Sequence, residues 1–311
     1  MRDSSRRARA GTCCFSLLQI ANRTAFVALY LLSRFFFKPH IDTGKTTHHA
    51  SKAIYKGTTW RSDRTVAVRT VAETSFARCD VHAVVSEDGE KVFNDWIFLE
   101  EVNAVNIVVQ TAEGKFVVFR QYKYAVPGET FSLVGGFVDE GEHPWTSAKR
   151  EVLEELGLGS RFTLERMNKN FGKRNDSFKR DPERMRNVVT DILLHDSIPP
   201  TLDEFGVPEG HITTSDDPDW IFLGRYRTAV NRGGGFTYLY LLKNAVPLLP
   251  NGGSELYVGT GDDEQQSIMH LSVHEVFDYL SQAKFQEVKW TATFALSLLH
   301  LNDDMPSCCG E

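Results

Sequence analysis

The stretch GGFVDEGEHPWTSAKREVLEELGLG, residues 135–159, decides how the rest of the chain is read. It gathers five glutamates and one aspartate around a short amphipathic run bracketed by glycines. Pro144 suits a first helical turn, where its missing N–H costs nothing, and Gly157 suits the position just past a helix end. Trp145, Ala148, Val152 and Leu156 recur at helical spacing and supply a face to bury. At about 100° per residue, Glu151 and Glu155 lie about 40° apart and Glu154 about 60° to the other side. Three carboxylates therefore share one arc beside the apolar face. Each like-charged pair at this spacing costs an isolated helix about 0.2–0.5 kcal/mol, so local stability does not ask for it. A hard divalent cation does, because Mg²⁺ and Mn²⁺ prefer carboxylate and carbonyl oxygens and water.

The letters also stand in a fixed register. Gly136, five residues, Glu142, seven residues, Arg150-Glu151-Val152, one residue, Glu154-Glu155, one residue and Gly157-Leu158 complete the pattern G-x5-E-x7-R-E-U-x-E-E-x-G-U, where U is bulky and apolar. A solvated acidic helix face explains a bare E-x-x-E-E, but not glycines and an arginine in register with it. The stretch resembles the signature box of the Nudix hydrolases. That resemblance implies an α/β fold: a Nudix-type α/β/α sandwich with a mixed sheet, a β-rich N-terminal extension and a long insertion after the box helix. It implies Mg²⁺-dependent (or Mn²⁺-dependent) cleavage of a nucleoside diphosphate linked to another group, with two or three ions. Glu151 and Glu155 are then metal ligands, Glu154 binds or supports a metal, and the Gly135 carbonyl adds an oxygen. Arg150 orients the glutamates and Glu142 joins the same network. Gly136 allows close backbone approach. A polyanionic diphosphate would be repelled by bare carboxylates, and bound cations reverse the sign of the site.

The resemblance places the general base elsewhere. In related ADP-sugar pyrophosphatases a glutamate in a late loop serves, and the best match is Glu264 in GDDEQQSIMHLS, residues 261–272, with Asp262 and Asp263 as alternates. An ordinary solvated acidic turn explains these residues equally well. The strand VVFRQYKY, residues 117–124, is similar to the run preceding the box in the ADP-ribose/ADP-sugar pyrophosphatase branch. Arg120 and Lys123 are candidates for phosphate contact there, and Tyr122 or Tyr124 for stacking, although strand alternation alone also places them. Arg232 and Gly233-Gly234-Gly235 are either a loop that donates to phosphate or a plain turn. One departure stands out: Ser132 in SLVGG occupies a position where that branch commonly has glutamate. No proline after the box matches the one that often marks ADP-ribose specificity there. The expected substrate is ADP-ribose or a related nucleotide sugar or dinucleotide, and the expected products are AMP and a sugar phosphate. A non-catalytic Nudix-fold binding module is the alternative.

Around the box, TVAVRTVAETSF, DVHAVVS, KVFNDWIFLE and VNIVVQ read as strands divided by turns such as Glu87-Asp88-Gly89. The first few are expected to form a separate small sheet, which in that branch serves dimerisation, so a homodimer is expected. Ala112-Glu113-Gly114 turns the chain into the strand at 115–124. Residues 160–215 are charged and proline-rich and read as a rim insertion with one short strand at NVVTDILLH. DWIFLGRYRTAV and FTYLYLLKNAV read as strands, and VKWTATFALSLLHL as a closing helix. The expected divisions are 1–41, a linker at 42–64, a hydrolase domain at 65–301 and a tail at 302–311.

The chain has 311 residues and a formal charge of −6, unevenly spread. Residues 1–41 hold seven basic residues and one acidic, leaving −12 on the remainder, which argues against a nucleic-acid-binding body. The uncharged apolar run TAFVALYLLS, residues 24–33, is too short for a bilayer core that needs about 20 residues. The segment reads as a presequence for an organelle, mitochondrion or plastid, with a secretory signal or signal-anchor, or a basic tail without an address on a cytoplasmic protein, as rivals, and no stable span in the mature protein. The five cysteines show neither metal-ligand nor disulfide spacing, and Cys79 reads as a small buried apolar residue.

Overall fold

The computed structural model describes residues 55–57, 59–171, 182–195, 201–202, 217–257, 259 and 266–303. The expected presequence at 1–41 and the tail after 303 lie outside the described residues. Among the described residues no helix is long and apolar enough to cross a membrane.

Among the described residues ten strands run β1 (Thr65–Glu73), β2 (Ala77–Val85), β3 (Val92–Glu101), β4 (Ala104–Thr111), β5 (Phe116–Tyr122), β6 (Glu129–Ser132), β7 (Leu158–Gly159), β8 (Trp220–Ala229), β9 (Gly233–Pro247) and β10 (Gln266–Leu271). Five helices accompany them among the described residues: α1 (Pro144–Leu156), α2 (Arg161–Phe171), α3 (Pro182–His195), α4 (Val273–Ser281) and α5 (Val288–Asp303). The sheet order is β1-β2-β3-β9-β4-β5-β10, with β6 on β5 and β7 and β8 on β9. It is mixed, since β4 and β3 pair with β9 in parallel and the other pairs are antiparallel.

The central strands are buried on both faces, and their two-residue period splits the core into two layers. Val105, Ile107 and Val109 of β4, Val117 and Phe119 of β5, and Tyr238, Tyr240 and Leu242 of β9 pack beneath Trp145, Ala148, Val152 and Leu156 of α1. The alternate residues, Val108, Phe116, Val118, Leu239 and Leu241, pack against Val276 of α4 and Trp290, Phe294 and Leu298 of α5. Helices on both faces of a mixed sheet make the expected α/β/α sandwich.

The lead-in strands do not form a separate sheet. β1, β2 and β3 continue the main sheet, joined to β9 at the single register pair Leu99–Gly233. Close approach explains the glycine, since a Cβ on Gly233 would collide with the Leu99 carbonyl. On one face of this lead-in lies a buried ionic group. Arg61 reaches Asp80 at 2.9 Å and Glu100 at 2.8 Å, and Arg78 reaches Asp80 at 2.9 Å. Arg227 lies over the rings of Trp60, Phe98 and Phe236. Cys79, expected to be buried, is half-buried on β2 and free.

The expected strand at NVVTDILLH is instead part of helix α3. Its branched residues suggest a strand within nine letters, but Met185, Val189 and Leu193 repeat every fourth residue from Pro182 in the first turn. Val189 and Leu193 pack with Met167 of α2 and Leu153 of α1 into a third cluster. Part of the insertion thus rests on the back of the box helix.

Candidate active site

The box folds as loop, helix and loop. Val105 N–H donates to the Gly136 carbonyl and Ile107 N–H to the Val134 carbonyl, each at 2.9 Å, which lays the segment before α1 along β4. The carbonyl of Gly135 lies between these two and, by strand alternation, turns to the other side. His143 caps α1, its Nδ1 accepting from Trp145 N–H at 3.1 Å. Gly157 ends the helix at φ 65°, a left-handed conformation natural to glycine. Beyond it, the Tyr257 hydroxyl donates to the carbonyls of Leu153 and Glu154 at 3.0 and 3.2 Å, and Arg186 of the insertion donates to that hydroxyl at 3.3 Å.

Arg150 organises the acidic side chains. Its Nε and Nη2 donate to the two carboxylate oxygens of Glu142 at 3.1 and 3.0 Å, and Nη2 also donates to the Phe137 carbonyl at 3.0 Å. Nη1 donates to Glu151 Oε1 at 2.7 Å and Glu154 Oε2 at 3.2 Å. Glu142 Oε2 further accepts from the Ser147 hydroxyl at 2.5 Å. Burial works against the Arg150 charge, but the hydrogen bonds and charges of Glu142 and Glu151 outweigh it and hold its pKa above the ordinary value. Burial pushes the Glu151 carboxyl up, Arg150 pulls it down, and the charges of Glu154 and Glu142 push it up again, leaving it raised. Gly136 has a direct reason: a Cβ there would fall on the Glu151 carboxylate.

Glu151, Glu154, Glu155, Gly135 and Gly136 line one wall of a cavity of about 910 Å³. The donor chemistry suits a hard cation: three carboxylates and a backbone carbonyl on one surface, with Arg150 taking one oxygen each of Glu151 and Glu154. Among the described residues, no three acidic, histidine or cysteine side chains converge closely enough to cage an ion. The wall therefore supplies the ligand types without a closed cage.

The structure sorts the remaining candidates. Arg120 and Tyr122 fall on the exposed face of β5, where Arg120 pairs with Glu129 at 3.6 Å, and Tyr124 is fully exposed. The cavity is lined instead by Phe119, Gln121 and Lys123, the alternate residues. Arg232 sits in the β8–β9 turn, stacked on Trp96 at 5.5 Å, and is not among the cavity-lining residues. Its three glycines open β9 rather than forming a loop. Glu264, Asp262 and Asp263 lie outside the described residues. Sequence reasoning noted Ser132 only as a departure from the family pattern and missed Gln121 and Asn106, and also Glu287, Lys289 and Trp290 around the start of α5, all of which line the cavity. The β5 alternation carried the signal for Gln121, but only the fold shows which of the two faces meets the cavity.

A comparison with family descriptions matches the NUDIX domain over residues 100–218. The chain carries a Nudix domain. The match begins at the end of β3 and contains the whole box. Among solved structures, that of an ADP compounds hydrolase aligns with a TM-score of 0.50 at 14% identity, covering 79% of this chain and 98% of that chain. At that identity the likeness concerns the fold. No curated protein matches the chain. Nudix enzymes generally use divalent metals, in keeping with the carboxylate wall.

Proposed function

We propose that this Nudix pyrophosphohydrolase cleaves the diphosphate of ADP-ribose or a related nucleotide sugar, giving AMP and a sugar phosphate, with Mg²⁺ as its ion. The observation that carries the reading is the complete box folded with Glu151, Glu154 and Glu155 facing a cavity of about 910 Å³, within the range of small-molecule sites. The fold shared with an ADP compounds hydrolase supports the nucleotide class.

Glu151, Glu155, Glu154 and the Gly135 carbonyl would hold two or three ions, which when bound supply positive charge to offset the diphosphate and acidify water. Arg150 bridges and orients the carboxylates of Glu151 and Glu154, and the bidentate bond to Glu142 fixes its own plane. Lys123 at the cavity brings a cation toward the phosphates. Glu264 is proposed as the base that takes the proton from the attacking water. The exposed Val66, Val71, Phe76, Ile97 and Leu99 of the lead-in region support a homodimer built through that sheet. Delivery to an organelle by residues 1–41 is part of the same proposal.

The test is incubation of the full chain with ADP-ribose and Mg²⁺, following AMP and ribose 5-phosphate. Turnover supports the reading. Silence across nucleotide sugars, dinucleotides and capped RNA would sink it and favour a binding module.

A further inference from the structure

The box helix ends where its own charge is least welcome. The last turn of α1 carries Glu154 and Glu155 and no basic residue, although the C-terminal end of a helix is the negative end of its dipole and favours cations. The last carbonyls of a helix also lack partners within it. Gly157 N–H serves the Leu153 carbonyl at 2.9 Å, but residue 158, whose N–H would serve Glu154 in a longer helix, belongs to β7. Helix ends fray, and fraying here would carry Glu154 and Glu155 out of register with Glu151 one turn earlier.

Both deficits are met from outside the box. The Tyr257 hydroxyl shares its proton between the carbonyls of Leu153 and Glu154, at 3.0 and 3.2 Å. Its ring lies against Gly157, where a Cβ would collide with it, and packs on the neighbouring core residues. Burial raises the Tyr257 pKa despite Arg186, so the hydroxyl stays protonated and keeps donating. Arg186, on α3 of the insertion, donates to that hydroxyl at 3.3 Å. A hydroxyl that accepts from a cation is polarised toward its own acceptors, which strengthens the bonds it gives. The same guanidinium brings positive charge to the negative end of the helix. A hydrogen-bonded chain thus runs from the insertion, through one hydroxyl, to the backbone of the turn that bears Glu154 and Glu155 on the cavity wall.

We propose that Tyr257, backed by Arg186, is a positioning residue that holds the last turn of α1 so that Glu154 and Glu155 bind metal together with Glu151. This rests on the diphosphatase reading and gives the insertion a part in it: α3 tunes metal affinity without touching metal or substrate. Arg150 holds Glu151 and Glu154 by their side chains, whereas Tyr257 holds the backbone that carries them.

The experiment measures Mn²⁺ binding to the full chain by electron paramagnetic resonance, without substrate, beside the Mg²⁺ dependence of ADP-ribose turnover. Tyr257→Phe keeps the ring and removes the hydroxyl. It is expected to weaken Mn²⁺ binding and raise the Mg²⁺ midpoint about tenfold, while kcat at saturating Mg²⁺ falls less than twofold. Arg186→Met should shift both in the same direction by less. The double variant should match Tyr257→Phe, because the arginine acts through the hydroxyl. A lowered unfolding temperature with unchanged metal midpoints would mean a structural role alone and overturn the proposal. A double variant whose shift is the product of the two single shifts would overturn it as well. If Tyr257→Phe fails to fold, Arg186→Met by itself must weaken Mn²⁺ binding, and an unchanged value overturns the proposal. The two readings fail differently. Wild type that binds Mn²⁺ but turns over no ADP-ribose counts against the substrate, and the Mn²⁺ arm still decides on Tyr257. Active wild type beside a Tyr257→Phe variant with equal Mn²⁺ affinity removes Tyr257 and leaves the diphosphatase standing. Wild type that binds no Mn²⁺ overturns both.

Discussion

Among the described residues two clusters of arginine and carboxylate can be compared, one in the lead-in sheet and one on the box helix. In the lead-in, Arg61, Arg78 and Arg227 surround two buried carboxylates, Asp80 and Glu100. Cation is in excess, and the surplus is absorbed by aromatic faces under Arg227. On the box helix the ratio is reversed: Arg150 alone meets Glu142, Glu151 and Glu154, with Glu155 beside them on the cavity wall. The first cluster closes on itself. The second sets one arginine against three glutamates beside a cavity, a donor set that suits a cation from solution. On the proposed reading, the same residue types thus serve stability in one place and reactivity in the other.

If that contrast is right, removing charge should cost activity at one cluster and folding at the other. The largest effect is expected for Glu155→Gln: at least about a hundredfold less turnover, because a ligand charge is lost with little volume. Thermal unfolding should stay near that of wild type, and near-normal kcat would remove Glu155 from the ligand set. Arg150→Met comes next. It should weaken apparent Mg²⁺ affinity by about 10–100-fold, as loss of a residue supporting metal ligands does. Activity titrated against Mg²⁺ should show a shifted midpoint, with partial recovery at high metal.

The lead-in cluster should respond the other way. Asp80→Asn strands Arg61 and Arg78 and should cost roughly 2 kcal/mol of stability in urea, below the value for a fully buried pair because Arg61 is partly exposed. Turnover per folded molecule should not change. The smallest effect concerns pH. Burial acts to raise the Asp80 pKa, but hydrogen bonds from Thr70 and Arg78 and the charges of Arg78 and Arg61 outweigh it, leaving it lowered. Between the folded and unfolded values the unfolded chain binds more protons. Asp80 therefore contributes stability above its unfolded pKa and loses it as pH falls through the folded one. Burial raises Glu100 despite Trp60, Arg61 and Arg227, so its contribution has the opposite slope and fades as pH rises through its folded pKa. Acid titrations of unfolding in Asp80→Asn and Glu100→Gln should lose these slopes separately; identical profiles would end the comparison.

Much of the box was legible in the letters because its determinants are local. Pro144, the Trp145–Leu156 stripe and Gly157 announce a helix whatever surrounds it, and the carboxylate arc follows from helical geometry. The strands from 65 to 122 were legible for the same reason. Helix α3 was misread because branched residues in a short window outweighed a repeat that begins outside it. The parallel pairing of β4 with β9 joins residues more than 130 positions apart, and nothing local encodes it. Arg120 and Gln121 show the limit most clearly. A period of two says that they point apart, and only the assembled sheet says which of them meets the cavity.

Strand β9 is bordered by β3, β4, β7 and β8, so it belongs to the lead-in and the catalytic half alike. No cut in space can free one half while leaving this strand whole. Harm done midway along it would be felt in both places at once, whereas harm to β1 or α2 could stay a local affair.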